Sequence, residues 1–117
     1  MYQSYFSVHF PLMESVRRLD LIFFALSDSR RRAILENLSD GEQTVGDLAK
    51  DFEMTLGAVS KQINHLQRAD LIYKTKRGKQ VWCRMNENIW KEITAYISMY
   101  ESFWGNRFQE LEDFINQ

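Results

Sequence analysis

The sequence predicts a mostly α-helical fold in which one β-hairpin lies between the fourth and fifth of five helices. Two observations predict it. Apolar residues recur every three or four positions in five segments, which is the period of an amphipathic helix. Between residues 72 and 85 the period changes to two, on both sides of Gly78, as expected for two strands joined by a turn. The 117 residues fit one domain.

The composition is that of an ordinary globular protein, with 44% hydrophobic and 26% charged residues. Cys83 is the only cysteine, so no intramolecular disulfide is expected, and this suits a reducing cytoplasm. The longest apolar run, residues 21–26, is too short to cross a membrane. Residues 1–14 are interpreted as an N-terminal extension without the basic start of a secretory signal. Whether Met13 is the natural first residue is left open.

The first and last helices are too apolar for one small domain to bury. The first is predicted over residues 15–26, and the last over residues 88–115, where large apolar residues form a seam with three- and four-residue spacing. We therefore expect a homodimer built on these two helices. The expected interface residues are Leu19, Ile22, Phe23, Trp90, Ile93, Ile97, Tyr100, Trp104, Phe108 and Leu111. A ligand pocket lined by the aromatic residues of the last helix is the alternative.

The middle of the chain predicts three short capped helices. Asp28 caps a helix that ends at Leu38, Thr44 caps the third, and Thr55 opens a fourth that ends near Ala69. The tight turn between the third and fourth helices is typical of a helix-turn-helix. With the hairpin that follows, residues 15–117 predict a winged helix-turn-helix domain.

The fourth helix predicts a slim polar face. When Val59, Ile63 and Leu66 point to the core, the opposite face carries Gly57, Lys61, Asn64 and Arg68, with His65 at its border. Such a face fits a DNA major groove, although a merely solvated face looks the same in an isolated helix.

Charge segregation decides between the two interpretations. The chain carries a net charge of −1, yet residues 55–84 hold seven basic residues and one acidic residue, a net +6, which leaves −7 for the remainder. Four of the basic residues, Lys74, Lys76, Arg77 and Lys79, surround the hairpin glycine. Because phosphate repels an acidic body, this concentrated basic segment is expected to face double-stranded DNA.

Several motifs resemble the ArsR-type winged-helix repressors over about residues 16–86. They are the run Leu26-Ser27-Asp28-Ser29-Arg30-Arg31-Arg32-Ala33-Ile34-Leu35, then Val59-Ser60-Lys61 with Leu66, Ala69-Asp70-Leu71-Ile72 and Arg77-Gly78-Lys79-Gln80. The tail, with Phe103-Trp104, Arg107-Phe108 and Leu111-Glu112, resembles a metal-independent branch of that family. The chain departs from the family at Ser29, Gln62 and Cys83, where proline, histidine and tyrosine are common.

The resemblance implies a two-fold dimer, a palindromic operator, and a hairpin tip that reaches a minor groove or flanking phosphates. It also implies that Ser60, Lys61 and Gln62 lie near DNA. Combined with the helix face, it predicts the following DNA-binding residues: Thr55, Gly57, Ala58, Ser60, Lys61, Gln62, Asn64, His65, Arg68, Lys76, Arg77, Gly78, Lys79 and Gln80.

Other chemistries find little support in the sequence. The third helix lacks Cys and His, and the last helix lacks His, so neither a metal nor another cofactor is expected. Cys83 is interpreted as a buried thiol rather than a redox switch, and His65 as a DNA contact rather than a proton switch. Catalysis is not expected, since the two histidines have no plausible partners. A protein-interaction module that has lost DNA binding is the alternative function. The operator, the target genes, the direction of regulation and any small-molecule or protein effector are left open.

Overall fold

The structure, a computed structural model, describes the backbone from Phe10 to Gln117 and the side chains from Val16 onward. It contains helices α1 (Phe10–Leu26), α2 (Ser29–Leu38), α3 (Val45–Asp51), α4 (Leu56–Arg68) and α5 (Glu87–Ile115), and strands β1 (Gln43–Thr44), β2 (Ile72–Arg77) and β3 (Gln80–Met85). The chain forms two compact units, one that ends at Asn86 and one that runs from Glu87 to Gln117. The predicted helices and hairpin are confirmed.

Helix α1 begins earlier than predicted. It starts at Phe10 rather than Ser15, so residues 10–14 belong to the helix and the predicted extension is wrong over that stretch. Pro11 lies in the first helical turn, where proline is tolerated because its missing N–H group would have no partner there. Residues 1–9 lie outside the described residues.

The starts of α2, α3 and α4 follow from their capping side chains. Asp28, Thr44 and Thr55 accept hydrogen bonds from the backbone N–H groups of Arg30, Asp47 and Ala58, at 2.8, 3.0 and 3.1 Å respectively. Each bond satisfies an amide that has no partner within its helix. The three predicted caps are confirmed.

Helices α3 and α4 are each followed, two positions after their last residue, by a residue with left-handed backbone conformation. Glu53 has φ of 52°, and the Met54 and Glu53 amides donate to the carbonyls of Ala49 and Lys50. Asp70, with φ of 58°, follows α4, and the Leu71 and Asp70 amides donate the equivalent hydrogen bonds to the carbonyls of Leu66 and Gln67. This Schellman pattern fixes the tight turn between α3 and α4 and the entry into β2.

The sheet is antiparallel with strand order β1–β3–β2. Strand β1 was not predicted, since its two residues, Gln43 and Thr44, are too few to show an alternating pattern. In the hairpin, Arg77 pairs with Gln80, which leaves Gly78 and Lys79 as a two-residue loop. Gly78 has φ of +63°, and glycine with positive φ at the first loop position is the type II′ arrangement that suits twisted strands.

The core of the first unit orients helix α4. Its largest fully buried side chains are Ile34, Leu48, Val59, Ile63, Leu66, Leu71, Ile72 and Cys83. The predicted inward stripe of α4 is therefore confirmed, and the opposite face of the helix is exposed. Burial raises the pKa of the Cys83 thiol, which disfavours the reactive thiolate, as expected for a buried cysteine.

The second unit is the single helix α5, whose 29 residues span about 43 Å. Aromatic rings four residues apart follow one another along it, with centroid distances of 5.7 Å from Tyr96 to Tyr100, 6.4 Å from Tyr100 to Trp104, and 6.1 Å from Trp104 to Phe108. Of the predicted interface residues in α5, Trp90 is half-buried and Ile93 is buried, whereas Ile97, Tyr100, Trp104, Phe108 and Leu111 are exposed.

The predicted interface residues of α1 differ in exposure. Phe23 is 42% exposed and Leu19 is half-buried, but Ile22 is 2% exposed. Ile22, like Ile93 of α5, is thus buried within the single chain, and the place of both residues in a subunit interface is corrected for that reason. None of the described helices is long and apolar enough to cross a membrane.

Candidate nucleic-acid interface

The outer face of α4 forms a shallow groove, which we call the helix-face groove. Six side chains or backbone positions line it, namely Gly57, Ser60, Lys61, Asn64, His65 and Arg68. All six are predicted DNA-binding residues, and none of them is acidic. The sequence spacing therefore located a continuous surface with hydrogen-bond donors and positive charge along the helix.

A second concavity, the hairpin crook, lies between the start of α3, helix α4 and the hairpin. Its lining consists of Thr44, Val45, Gly46, Leu56, Ser60, Ile63, Lys74, Lys79, Gln80 and Val81. Ser60 lines both concavities, so the two join into one surface. Two lysines flank the crook, which places positive charge beside the recognition face of α4.

The hairpin register divides its basic residues between the two faces of the sheet. Lys74 and Lys76 pair with Cys83 and Val81, and since successive side chains alternate, these lysines share one face. Lys74 Nζ donates a 3.0 Å hydrogen bond to Asn64 Oδ1, which shows that this face looks towards α4. Arg77 and Arg84 therefore lie on the opposite face.

Arg77 is engaged within the protein. Its guanidinium donates two hydrogen bonds, of 2.9 and 3.2 Å, to the Glu42 carboxylate, and it lies 5.3 Å from the centre of the Trp82 ring. The bonds from Arg77 hold the pKa of Glu42 below its usual value and raise that of Arg77. Phosphate would have to compete with Glu42 for this guanidinium, so Arg77 is a weaker candidate for DNA binding than the sequence suggested.

Four cations of this surface are free to meet a ligand. Lys61 and Arg68 on α4, and Lys76 and Lys79 on the hairpin, are exposed and make no hydrogen bond or ion pair with any described residue. Lys61 and Arg68 line the helix-face groove and Lys79 lines the hairpin crook, and unpaired cations on one surface raise its positive potential. The arrangement suits a polyanion.

Gln62 does not belong to the exposed face. It is 5% exposed, and its Oε1 accepts a 2.9 Å hydrogen bond from Arg31, so the prediction that it contacts DNA is corrected. Thr55 is exposed, but its hydroxyl serves as the cap of α4, and Ala58 is half-buried. Gly78 lies exposed at the hairpin tip, next to Lys79.

Arg31 contacts the buried side of α4. Its side chain is buried, and it donates to the carbonyl oxygens of Ala25 and Phe24 at 2.7 and 2.9 Å as well as to Gln62. One guanidinium therefore ties the carboxyl end of α1 to the middle of α4. Such fully satisfied buried polar groups rigidify their surroundings.

His65 lies at the border between the residues around Arg31 and the helix-face groove. Its ring contacts Phe24 edge-on, with centroids 5.5 Å apart. Burial lowers the pKa of His65, and the positive charges of Arg31, Arg68 and Lys61 lower it further. The imidazole is accordingly neutral in the free protein near neutral pH, where it offers one donor and one acceptor.

Three residues that shape the surface were missed by the sequence analysis as site residues. Lys74 was counted only as hairpin charge, although it follows Ile72 by two positions, which places both side chains on the same face of β2. Arg31 was hidden in a run of three arginines, and no local signal marks its bond to a residue 31 positions away. Glu42 likewise pairs across 35 positions.

Among the residues whose side chains the structure describes, no three His, Cys, Asp or Glu side chains cluster closely enough to hold a metal ion.

Comparison with known proteins agrees with this architecture. Residues 28–74 match the family model described as bacterial regulatory protein, arsR family. The transcriptional repressor SdpR of Bacillus subtilis is 31% identical over 76 residues, which cover 65% of this chain and 84% of that repressor. The arsenical resistance operon repressor of Staphylococcus aureus is 33% identical over 85 residues, which cover 73% of this chain and 82% of that protein.

Solved structures lead to the same family. The crystal structure of an ArsR family transcriptional regulator superposes with a TM-score of 0.70 at 34% identity, over 76% of this chain and 92% of the other. A homodimeric winged helix-turn-helix DNA-binding domain from Mycobacterium bovis, at 22% identity, shares the fold with a TM-score of 0.64 over 78% of this chain and 86% of the other. With the cap, the helix-turn-helix and the hairpin in place, the chain belongs to the arsR family of bacterial regulatory proteins.

Proposed function

We propose that the protein is a transcriptional repressor that binds a palindromic operator in double-stranded DNA as a homodimer. The observation that carries the proposal is the joined surface of the helix-face groove and the hairpin crook, with its unpaired cations. A helix of this width, with donors along one face, fits a major groove. Two relatives in the family are repressors, which supports repression rather than activation. The protein would repress transcription by occupying a promoter.

The contacts are proposed as follows. Lys61, Asn64 and Ser60 face base edges, while Arg68 and His65 lie towards the sugar-phosphate backbone. Lys79 and Lys76 at the hairpin reach flanking phosphates or a minor groove, and Lys74 lies behind them in the crook. Arg77 takes part only where phosphate displaces Glu42.

The homodimer rests on helix α5. Five of its predicted seam residues between Ile97 and Leu111 are 43–63% exposed in the single chain. Bringing two such seams together would remove this apolar surface from water, at roughly 25 cal/mol for each Å² buried. The homodimeric Mycobacterium bovis domain that shares this fold supports the same assembly.

We further propose that the repressor works without a bound metal, in the cytoplasm. The buried Cys83 thiol offers no accessible ligand, and the aromatic tail resembles the metal-independent branch of the family. Operator affinity should then be the same in buffer with EDTA and in buffer with added zinc. A change of more than about tenfold between the two buffers would contradict this part of the proposal.

The function itself is tested with sheared genomic DNA from the source organism. Fragments bound by the purified protein are selected at a low and a high salt concentration and sequenced. A specific regulator retains one palindromic sequence at high salt, because its base contacts are less salt-sensitive than its phosphate contacts. Uniform binding that disappears with salt, or no binding at either concentration, would overturn the proposal and favour an interaction module.

A further inference from the structure

Asn64 lies in the helix-face groove with its amide already engaged. Lys74 Nζ donates a hydrogen bond of 3.0 Å to Asn64 Oδ1. Because an ammonium group has donors and no acceptor, the atom that faces it is the amide oxygen, and the Nδ2 group is on the far side of the amide. The hairpin thereby orients a side chain of the recognition helix.

This orientation bears on how Asn64 meets a base. Asparagine reads adenine with two bonds, in which Oδ1 accepts from the N6 amine and Nδ2 donates to N7. Here the positive charge of Lys74 stands beside Oδ1, and it repels the amine hydrogens that would approach the remaining lone pair. Guanine has no such conflict, since its major-groove edge presents two acceptors, N7 and O6.

The surroundings of Asn64 favour the same base. Lys61 precedes it by one turn and Arg68 follows it by one turn, and both side chains are exposed and unpaired among the described residues. No acidic residue is found among those that line the groove, so no carboxylate there would accept from a base amine. The groove is therefore rich in donors along its length.

We propose that Lys74 sets the base preference of Asn64, so that Asn64 donates to guanine in each operator half-site and does not read adenine. This inference rests on the proposed function. Lys74 is a positioning residue, since it acts through Asn64 while its own charge lies in the hairpin crook.

The position read by Asn64 is found by selecting binding sites from a randomised library with the parent protein and with Asn64→Ala. The variant is expected to lose its preference at one position of each half-site. At that position the parent should prefer guanine to adenine by about fivefold or more. The inference is overturned when the flattened position carries adenine in the parent, or when no position is flattened.

The role of Lys74 is tested with Lys74→Met, which keeps the length of the side chain and removes its donors. The matched control is Lys76→Met, which removes the same charge from the same sheet face without touching Asn64. Lys74→Met should lower the guanine-to-adenine affinity ratio by about threefold or more. Lys76→Met should weaken binding to both sequences alike and leave the ratio unchanged.

The outcomes separate this inference from the proposed function. A palindromic site that carries adenine at the Asn64 position, or an unchanged ratio in Lys74→Met, removes the inference and leaves a specific DNA-binding protein. Failure of the parent protein to select any sequence refutes the proposed function, and the inference with it.

Discussion

Arg31 offers the sharpest prediction about what holds the recognition helix in place. We expect Arg31→Met to destabilise the protein strongly although the substituted side chain contacts no DNA. The guanidinium donates to Ala25 O and Gln62 Oε1 in buried surroundings, and to Phe24 O in partly buried surroundings. Methionine fills part of the volume and supplies none of these donors.

The magnitude follows from the two buried acceptors. Each buried acceptor left without a partner costs about 1–3 kcal/mol, and the third, partly hydrated carbonyl costs less. Removal of the buried charge offsets some of this loss. We therefore expect the free energy of unfolding to fall by about 3 kcal/mol.

The assay is urea denaturation followed by circular dichroism, at one fixed protein concentration because dimerisation couples stability to concentration. Arg32→Met is the matched control, since Arg32 is exposed and donates one bond, of 2.6 Å, to Leu26 O. It should change the stability by about 0.5 kcal/mol or less. A cycle with Gln62→Leu should return a coupling energy above about 0.5 kcal/mol.

If Arg31→Met lost less than about 1 kcal/mol with an unchanged urea slope, the buried bonds to Ala25 and Gln62 would not support α4 in solution.

Four further predictions concern the surface and the assembly. Lys79→Ala should weaken operator binding and lower the slope of affinity against salt concentration by about one. Arg77→Ala should weaken operator binding less, because Arg77 is already paired with the Glu42 carboxylate. Equal losses of affinity in a titration at several salt concentrations would contradict the pairing. Gly57→Ala should raise the free energy of unfolding by about 0.8–1 kcal/mol, because a Cβ there meets no atom within 4 Å. The same substitution should weaken operator binding, because it widens the face of α4 that enters the DNA groove. Unchanged affinity would exclude Gly57 from the contact with DNA. Because the folded-state pKa of His65 is lowered, its contribution to stability is complete above the ordinary value of 6.5 and is lost as the pH falls from there towards the folded-state pKa. The parent protein should therefore lose stability in acid relative to His65→Gln. Parallel curves of stability against pH for the two proteins would contradict the shift. Truncation after Tyr96 should abolish the dimer in analytical ultracentrifugation, and a stable dimer of the truncated chain would refute the seam.

Local signals explain how much of the fold the sequence predicted. Asp28, Thr44 and Thr55 cap their own helices within three residues, so their roles are readable from neighbours in the chain. Gly78 between two alternating segments marks the hairpin for the same reason. The helical spacing of 100° per residue was enough to predict every residue that lines the helix-face groove, because all of these residues lie on one helix.

Long-range contacts explain what the sequence did not predict. Gln62 lies at the edge of the buried stripe of α4, and its burial is decided by Arg31, which is 31 positions away. Arg77 resembles a free hairpin cation in the sequence, because its carboxylate partner, Glu42, lies 35 positions away. Strand β1 has two residues and exists only because β3 pairs with it.

In the proposed complex, two copies of α4 enter major grooves on one side of one operator. Hydroxyl-radical footprinting of the selected operator tests it most directly, with the parent protein at a salt concentration that removes non-specific binding. Two protected regions related by two-fold symmetry are expected on one side of the duplex, with centres about 10–10.5 base pairs apart or a multiple of that spacing. A single protected region, or protection without two-fold symmetry, would contradict it.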